Sequence, residues 1–227
     1  MTNDKRPPLI IRILLIALLM LAIQVPPVIL MLLPHYQANS GSSLIGPAIY
    51  LCVFGLIIAW AAWLFRRYRH FPVQAQKPIM YIGWPVVGWI CVILGENLLA
   101  RLNQAIYHQS STANNDAIRQ IMGSSHQALI LMSLAAVILS PIAEELIFRG
   151  ILMNLFFKPD AYWMPIVLSG LLFTLAHSST TPISYLIYFY MGAVFAYIYR
   201  RTGRLTNTIL LHALNNFFAL IALLHLF

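Results

Sequence analysis

Three short stretches carry side chains that could do chemistry. The first is Glu144-Glu145-Leu-Ile-Phe-Arg149, inside an apolar run. Helical neighbours sit about 100° apart, so the two carboxylates cannot share a direction. Glu145 and Arg149, at i and i+4, share a face and can pair. Glu144 is left pointing elsewhere without a local partner, which suits it to act as a general base. The second is Phe173-Thr-Leu-Ala-His177, whose aromatic and imidazole are again four apart. A lone histidine on an apolar helix is more often a hydrogen-bonded core residue than a catalyst. The third is His212-Ala-Leu-Asn-Asn216. His212 and Asn216 stack on one helical face and could together hold an oxygen anion. Asn215 lies off that face and reads as structural.

These groups need elements to position them, and the elements are apolar helices. The chain has 227 residues, is 60% hydrophobic and 9% charged, and has a mean hydropathy of +0.78. Soluble domains run near one quarter charged. An all-α, polytopic membrane bundle is therefore expected. Runs long enough to cross a bilayer, about 20 residues each, lie at 9–33, 44–65, 79–99, 126–157, 163–179, 183–199 and 206–226. Seven spans is the reading, with eight as the alternative. The fourth run is overlong and holds Pro141, which removes a backbone donor. It is one bent helix or two pieces. The first run is too long for a secretory leader and lacks a small-x-small cleavage site, so a retained anchor is expected.

Basic residues sort by side. With the N-terminus in the cytoplasm, Lys5, Arg6, Arg12, Arg66, Arg67, Arg69, Lys77, Lys158, Arg200, Arg201 and Arg204 face inward. Outside fall only Arg101 and Arg119, a clear positive-inside bias. The net charge of +8 is thereby explained without a nucleic-acid partner. Cys52 and Cys91 read as small buried hydrophobes, not a disulfide or metal framework. Glu96, near the outer end of the third run, is expected to pair with Arg101. A hydrophilic loop at 100–125 separates an N-terminal part (1–125) from a C-terminal core (126–227). The two form one integrated domain. The tyrosines of the sixth run read as packing and interfacial anchors.

At 1.5 Å per residue, Glu144 lies about 20 Å from the cytoplasmic end of its run, His177 about 21 Å and Asn216 about 18 Å. Three polar faces at one depth would meet around a wet cavity.

In this order the motifs resemble the CAAX-processing and bacteriocin-processing (CPBP, or Abi) intramembrane protease family, similar to type II CAAX prenyl endopeptidases. The resemblance covers about residues 126–227 and includes the stretch "YRRTGRLTNTILLHALNN". It implies an all-helical membrane fold and endopeptidase activity on a membrane-associated protein or peptide. Carried over by position, Glu144 and His177 would activate water, and His212 and Asn216 would form the oxyanion hole. Glu145 and Arg149 would support the site. No cofactor is favoured. Zinc is the alternative, with Glu144, His177 and His212 as a donor set that suits it, although no HExxH supplies a separate base.

Two further classes use the same residues. A non-catalytic scaffold or bacteriocin self-immunity protein could bind a peptide in the same cavity. A proton-coupled transporter could also use intramembrane Glu and His, but no broken-helix repeat supports it. A bacterial inner (plasma) membrane is the expected location.

Overall fold

A computed structural model describes residues 6–37 and 44–225. Lys5 of the inward-facing basic set lies outside the described residues. The described residues form nine helices and no strand: α1 Leu9–Ala22, α2 Val25–Gln37, α3 Ile45–Tyr68, α4 Met80–Tyr107, α5 Ala113–Met122, α6 His126–Phe156, α7 Trp163–Leu175, α8 Pro182–Thr202 and α9 Leu205–Leu224. Among the described residues six helical stretches are long and apolar enough to cross a membrane, the first being α1 and α2 taken together over Leu9–Leu32. With the shorter apolar α7 they correspond to the seven expected runs. The chain is an integral membrane protein that crosses the bilayer several times.

The expected helices break where backbone chemistry requires it. Between α1 and α2 the chain turns at Ile23 and Gln24, just before Pro26 and Pro27. Those prolines occupy the first turn of α2, where no N–H partner is needed. Gln24 then sends its amide to the carbonyl of Ala176 (3.1 Å) at the end of α7.

α6 is one continuous helix, not two pieces. Pro141 cannot donate to residue 137, and its ring crowds that carbonyl. The helix widens there into a π-helical segment, Ala135–Leu139, and does so again at Leu146–Leu152. Every residue of the second segment is buried. Segments of this kind often mark functional sites. Here the first lies one turn before Glu144 and the second contains Arg149.

The loop expected at 100–125 is mostly helical. α4 continues to Tyr107 and stops at His108, which takes the left-handed conformation (φ 56°). Thr112 then caps α5 by accepting from the N–H of Asn115 at 3.3 Å. The polar composition concealed a short helix whose Ile121 and Met122 are buried.

α4 packs along both α8 and α9, and α7 packs along α8. The α7–α8 approach depends on Gly192, where a Cβ would come within 3.0 Å of the Phe173 Cβ and 3.1 Å of the Gly170 Cα. Gly203 (φ 66°) ends α8 in the left-handed conformation that glycine tolerates, so α9 can start two residues later.

Cys52 and Cys91 are unpaired, as expected, but exposed rather than buried. They sit on the outward, apolar sides of α3 and α4. In a membrane protein an apolar run need not face the interior.

Candidate active site

Glu144 and Glu145 point in different directions, as their spacing requires. Glu145 is fully buried, and one of its oxygens accepts from Arg149 Nη1 at 2.8 Å. That same Oε1 lies 3.0 Å from His212 Nδ1 on α9. Arg149 donates a further bond from Nη2 to the carbonyl of Gly192 on α8 (2.8 Å). Its guanidinium sits 4.6 Å from the centre of the Phe173 ring and 5.2 Å from that of Phe195. The second motif's phenylalanine therefore has a clear function: it covers a buried cation with an aromatic face.

Glu144 faces the other way, toward a cavity, with its side chain 14% exposed. Its Oε2 lies 3.8 Å from His177 Nε2 and 4.0 Å from His212 Nε2, and makes no hydrogen bond within the described residues. These separations are too long for direct bonds. They suit a water placed off the line between them, at about 2.8 Å from each heavy atom.

His177 does not sit on a helix. α7 ends at Leu175, and His177 lies in the turn that follows. Its Nδ1 is 2.7 Å from the carbonyl of Phe173. A carbonyl can only accept, so Nδ1 carries the proton and the neutral ring presents Nε2 as a free base toward Glu144. His212 follows a related logic with a different outcome. Glu145 already accepts from Arg149, so Nδ1 of His212 donates to it. An N–H on His212 Nε2 would then require the doubly protonated ring.

Asn216, one turn further along α9, donates its amide to the carbonyl of Ala136 at 2.8 Å, in the first π-helical segment. One amide hydrogen remains for another acceptor. Glu144, His177, His212 and Asn216 all line a single cavity of about 700 Å³. Ile23 and Gln24, in the turn before α2, and residues of α2, α4 and α5 also wall it, so both parts of the chain contribute.

Several lining residues differ from their sequence reading. Glu96 does not pair with Arg101 among the described residues. Five residues apart on a helix, the two point about 140° away from each other. Arg101 is exposed, whereas Glu96 lines the cavity beside the Asn215 amide. Tyr188, read as packing, stacks on the His177 ring with centroids 4.6 Å apart and planes 18° apart. No sequence spacing connects 177 with 188. The only hint was the concentration of tyrosines in α8.

For zinc, both imidazoles present Nε2 with Nδ1 held by an acceptor, as metal-bound histidines commonly do. The separations do not fit. Donors on tetrahedral zinc lie about 3.3 Å apart, less than the 3.8 and 4.0 Å found here. Among the described residues no trio of His, Cys, Asp or Glu is placed to hold a metal.

This all-helical membrane protein gathers Glu144, His177, His212 and Asn216 around one cavity, with Glu145 and Arg149 buried behind them. Residues 126–218 match the family model described as type II CAAX prenyl endopeptidase Rce1-like. The chain is 26% identical over 141 residues to the putative membrane peptidase YdiL of Bacillus subtilis (strain 168), covering 62% of this chain and 55% of that protein. It is 26% identical over 156 residues to the membrane-embedded CAAX protease MroQ of Staphylococcus aureus (strain USA300), covering 66% and 61%. It is 27% identical over 177 residues to the UPF0177 protein YbdI of Lactococcus lactis, covering 77% and 93%. The chain thus spans about half the length of YdiL, and more of the others. No solved structure matches it. Residues 126–218, which hold all six candidate site residues, thus carry the likeness to the CAAX-processing and bacteriocin-processing family that their motifs suggest.

Proposed function

We propose that the chain is an intramembrane endopeptidase that hydrolyses a peptide bond in a membrane-associated protein or peptide. The observation that carries this reading is the position of Glu144 Oε2, within 4.0 Å of both His177 Nε2 and His212 Nε2 at the cavity wall. A water held by Glu144 and His177 loses a proton to that pair as its oxygen attacks the scissile carbonyl carbon. The carbonyl oxygen becomes an anion. His212, as the doubly protonated ring, donates to it from Nε2, and Asn216 donates its remaining amide hydrogen. The proton held by the Glu144–His177 pair passes to the leaving nitrogen as the C–N bond breaks. Glu145 and Arg149 hold His212 and α6 in place. A single oxyanion donor typically contributes about 3 kcal/mol to such a barrier.

The proposed route is metal-free, and no step runs through zinc. Elemental analysis of purified protein, with chelation and metal add-back, tests this: stoichiometric zinc and metal-restored activity would replace the water-activating pair with a metal. The proposed topology keeps the N-terminus and the arginine-rich ends of α3 and α8 on the cytoplasmic side of a bacterial inner membrane.

Comparing membrane-associated peptides in cells carrying wild type and Glu144→Gln tests the activity. The variant should accumulate uncleaved substrate. Identical peptide profiles, with the variant retaining its biological effect, would favour a protein that only binds peptides in this cavity.

A further inference from the structure

Outside the six motif residues, the polar bonds near the cavity converge on one place, the turn that holds His177. Thr180 Oγ1 donates to Gln109 Oε1 (3.0 Å), and Thr181 Oγ1 to Asn103 Oδ1 (2.6 Å). The N–H of Asn114, in the first turn of α5, donates to the carbonyl of Ser178 (3.2 Å). A fourth link is made by Tyr188, whose hydroxyl lies 2.7 Å from Thr112 Oγ1. Thr112 is the residue that caps α5.

Tyr188 thus touches two things at once. Its ring covers one face of His177, while Phe173 lies against the same imidazole with centroids 4.4 Å apart. Its hydroxyl reaches the start of a helix that supplies Asn114, Asn115, Ala117, Ile118 and Ile121 to the cavity wall. A phenylalanine would stack as well. Tyr188 is only 5% exposed, and a buried tyrosine hydroxyl needs a partner, which here is the α5 cap.

We propose that Tyr188 is a positioning residue for His177, and that through Thr112 it links the alignment of that imidazole to the seating of α5 in the cavity wall. The need for such a device follows from the fold. His177 sits in a turn, where no helical backbone fixes its direction, yet its Nε2 must face Glu144. A misplacement near 1 Å can cost about 100-fold in rate. When α5 is seated, the Tyr188 ring is held at both ends and the imidazole cannot swing away. When α5 lifts, the cavity wall opens and the ring loses its hold.

The catalytic consequence rests on the hydrolase reading above, whereas the positioning itself does not. The experiment therefore reads both. Wild type, Tyr188→Phe, Tyr188→Leu, Thr112→Val and Thr112→Ser are prepared in bilayers with ¹⁵N-labelled histidine, and the His177 signals are assigned with His177→Gln. Turnover is measured on a substrate found by the Glu144→Gln comparison. Tyr188→Leu should lower kcat about 100-fold with KM within about threefold, and should displace the His177 signals. Tyr188→Phe and Thr112→Val should each lower kcat about tenfold, with the double variant no worse than either. Thr112→Ser, which keeps both the cap and the bond, should restore wild-type values.

Unchanged His177 signals in Tyr188→Phe and Tyr188→Leu would overturn the proposal. So would losses in Tyr188→Phe and Thr112→Val that multiply. If no substrate emerges because Glu144→Gln changes nothing, the hydrolase reading fails, and the His177 signals still decide the positioning.

Discussion

Glu145 on α6 and His212 on α9 meet at 3.0 Å, and the same carboxylate oxygen also takes Arg149. One buried acid therefore ties the first motif to the third and balances a cation that has no route to water. This arrangement makes Glu145→Gln informative. The amide can still accept from one neighbour, but it leaves the Arg149 charge without compensation. Removing one partner of a buried pair typically costs about 3–5 kcal/mol. The expected outcome is a large fall in thermal stability in detergent. Arg149→Ala should show a fall of similar size. A loss below about 1 kcal/mol in both, the range of an exposed pair, would mean that the charges are solvated.

Glu144→Gln should behave in the opposite way. Glu144 Oε2 makes only the long 3.8 and 4.0 Å approaches, so little stability depends on it. Cleavage should fall by about 10²–10⁴-fold, the usual range for a positioned acid–base group. The unfolding midpoint should stay near wild type. Activity and thermal unfolding measured on the same preparation check this, and a stable variant that still cleaves would remove Glu144 from the reaction.

The contrast between the two neighbouring glutamates was legible in the sequence, because helical geometry alone sends them in different directions and pairs 145 with 149. The seven apolar runs and their order were legible for the same kind of reason: period and length are local properties. Three features were not. The π-helical segments beside Pro141 and at Arg149 leave no periodic mark strong enough to read. α5 was hidden by the polar composition of its stretch, although Thr112 is an ordinary cap. Glu96 and Tyr188 face the cavity because of how α4 and α8 pack, and packing between distant helices is not written into one segment's pattern. Nearness along the chain pairs Glu96 with Arg101, and the 140° offset between them on the helix defeats that pairing.

Asn216 combines a structural bond with a proposed catalytic one. Its amide holds the carbonyl of Ala136 at 2.8 Å, joining α9 to the first π-helical segment. Asn216→Ala should lower cleavage by about 10²–10³-fold through loss of an oxyanion donor. It should also lower stability by about 0.5–1.5 kcal/mol, the net worth of an ordinary hydrogen bond, because the half-buried carbonyl of Ala136 loses its partner. Asn216→Asp places an acceptor opposite that carbonyl and should fare no better. Steady-state kinetics would separate the two effects: the oxyanion contribution appears in kcat, with KM little changed.

The proposed topology makes a prediction that does not depend on catalysis. Alkaline phosphatase is active only when exported, so fusions after residue 75 or 203 should be inactive. A fusion after residue 110 should be active, as should one after the last residue of α9. The reverse pattern would invert the bundle and place the Arg66–Arg69 and Arg200–Arg204 clusters outside, against the charge bias.

Gly192 offers a test of how close packing supports the buried ion pair. A methyl group there would meet the Phe173 Cβ at 3.0 Å and the Gly170 Cα at 3.1 Å. The second contact is backbone, so α7 and α8 would have to separate by a few tenths of an ångström. The carbonyl of Gly192 receives Arg149 Nη2 at 2.8 Å, and Phe173 covers the same guanidinium. Any separation therefore pulls on Arg149, then on Glu145, then on His212. Gly192→Ala should cost about 1–3 kcal/mol, the usual range for an overpacked core. Cleavage should also fall. Gly55→Ala in α3 is the control, since nothing lies within 4 Å of its Cβ position. It should be neutral or slightly stabilising, because alanine is the better helix former. Equal unfolding midpoints for the two variants would show that the α7–α8 contact has slack, and that the Arg149 site does not depend on it.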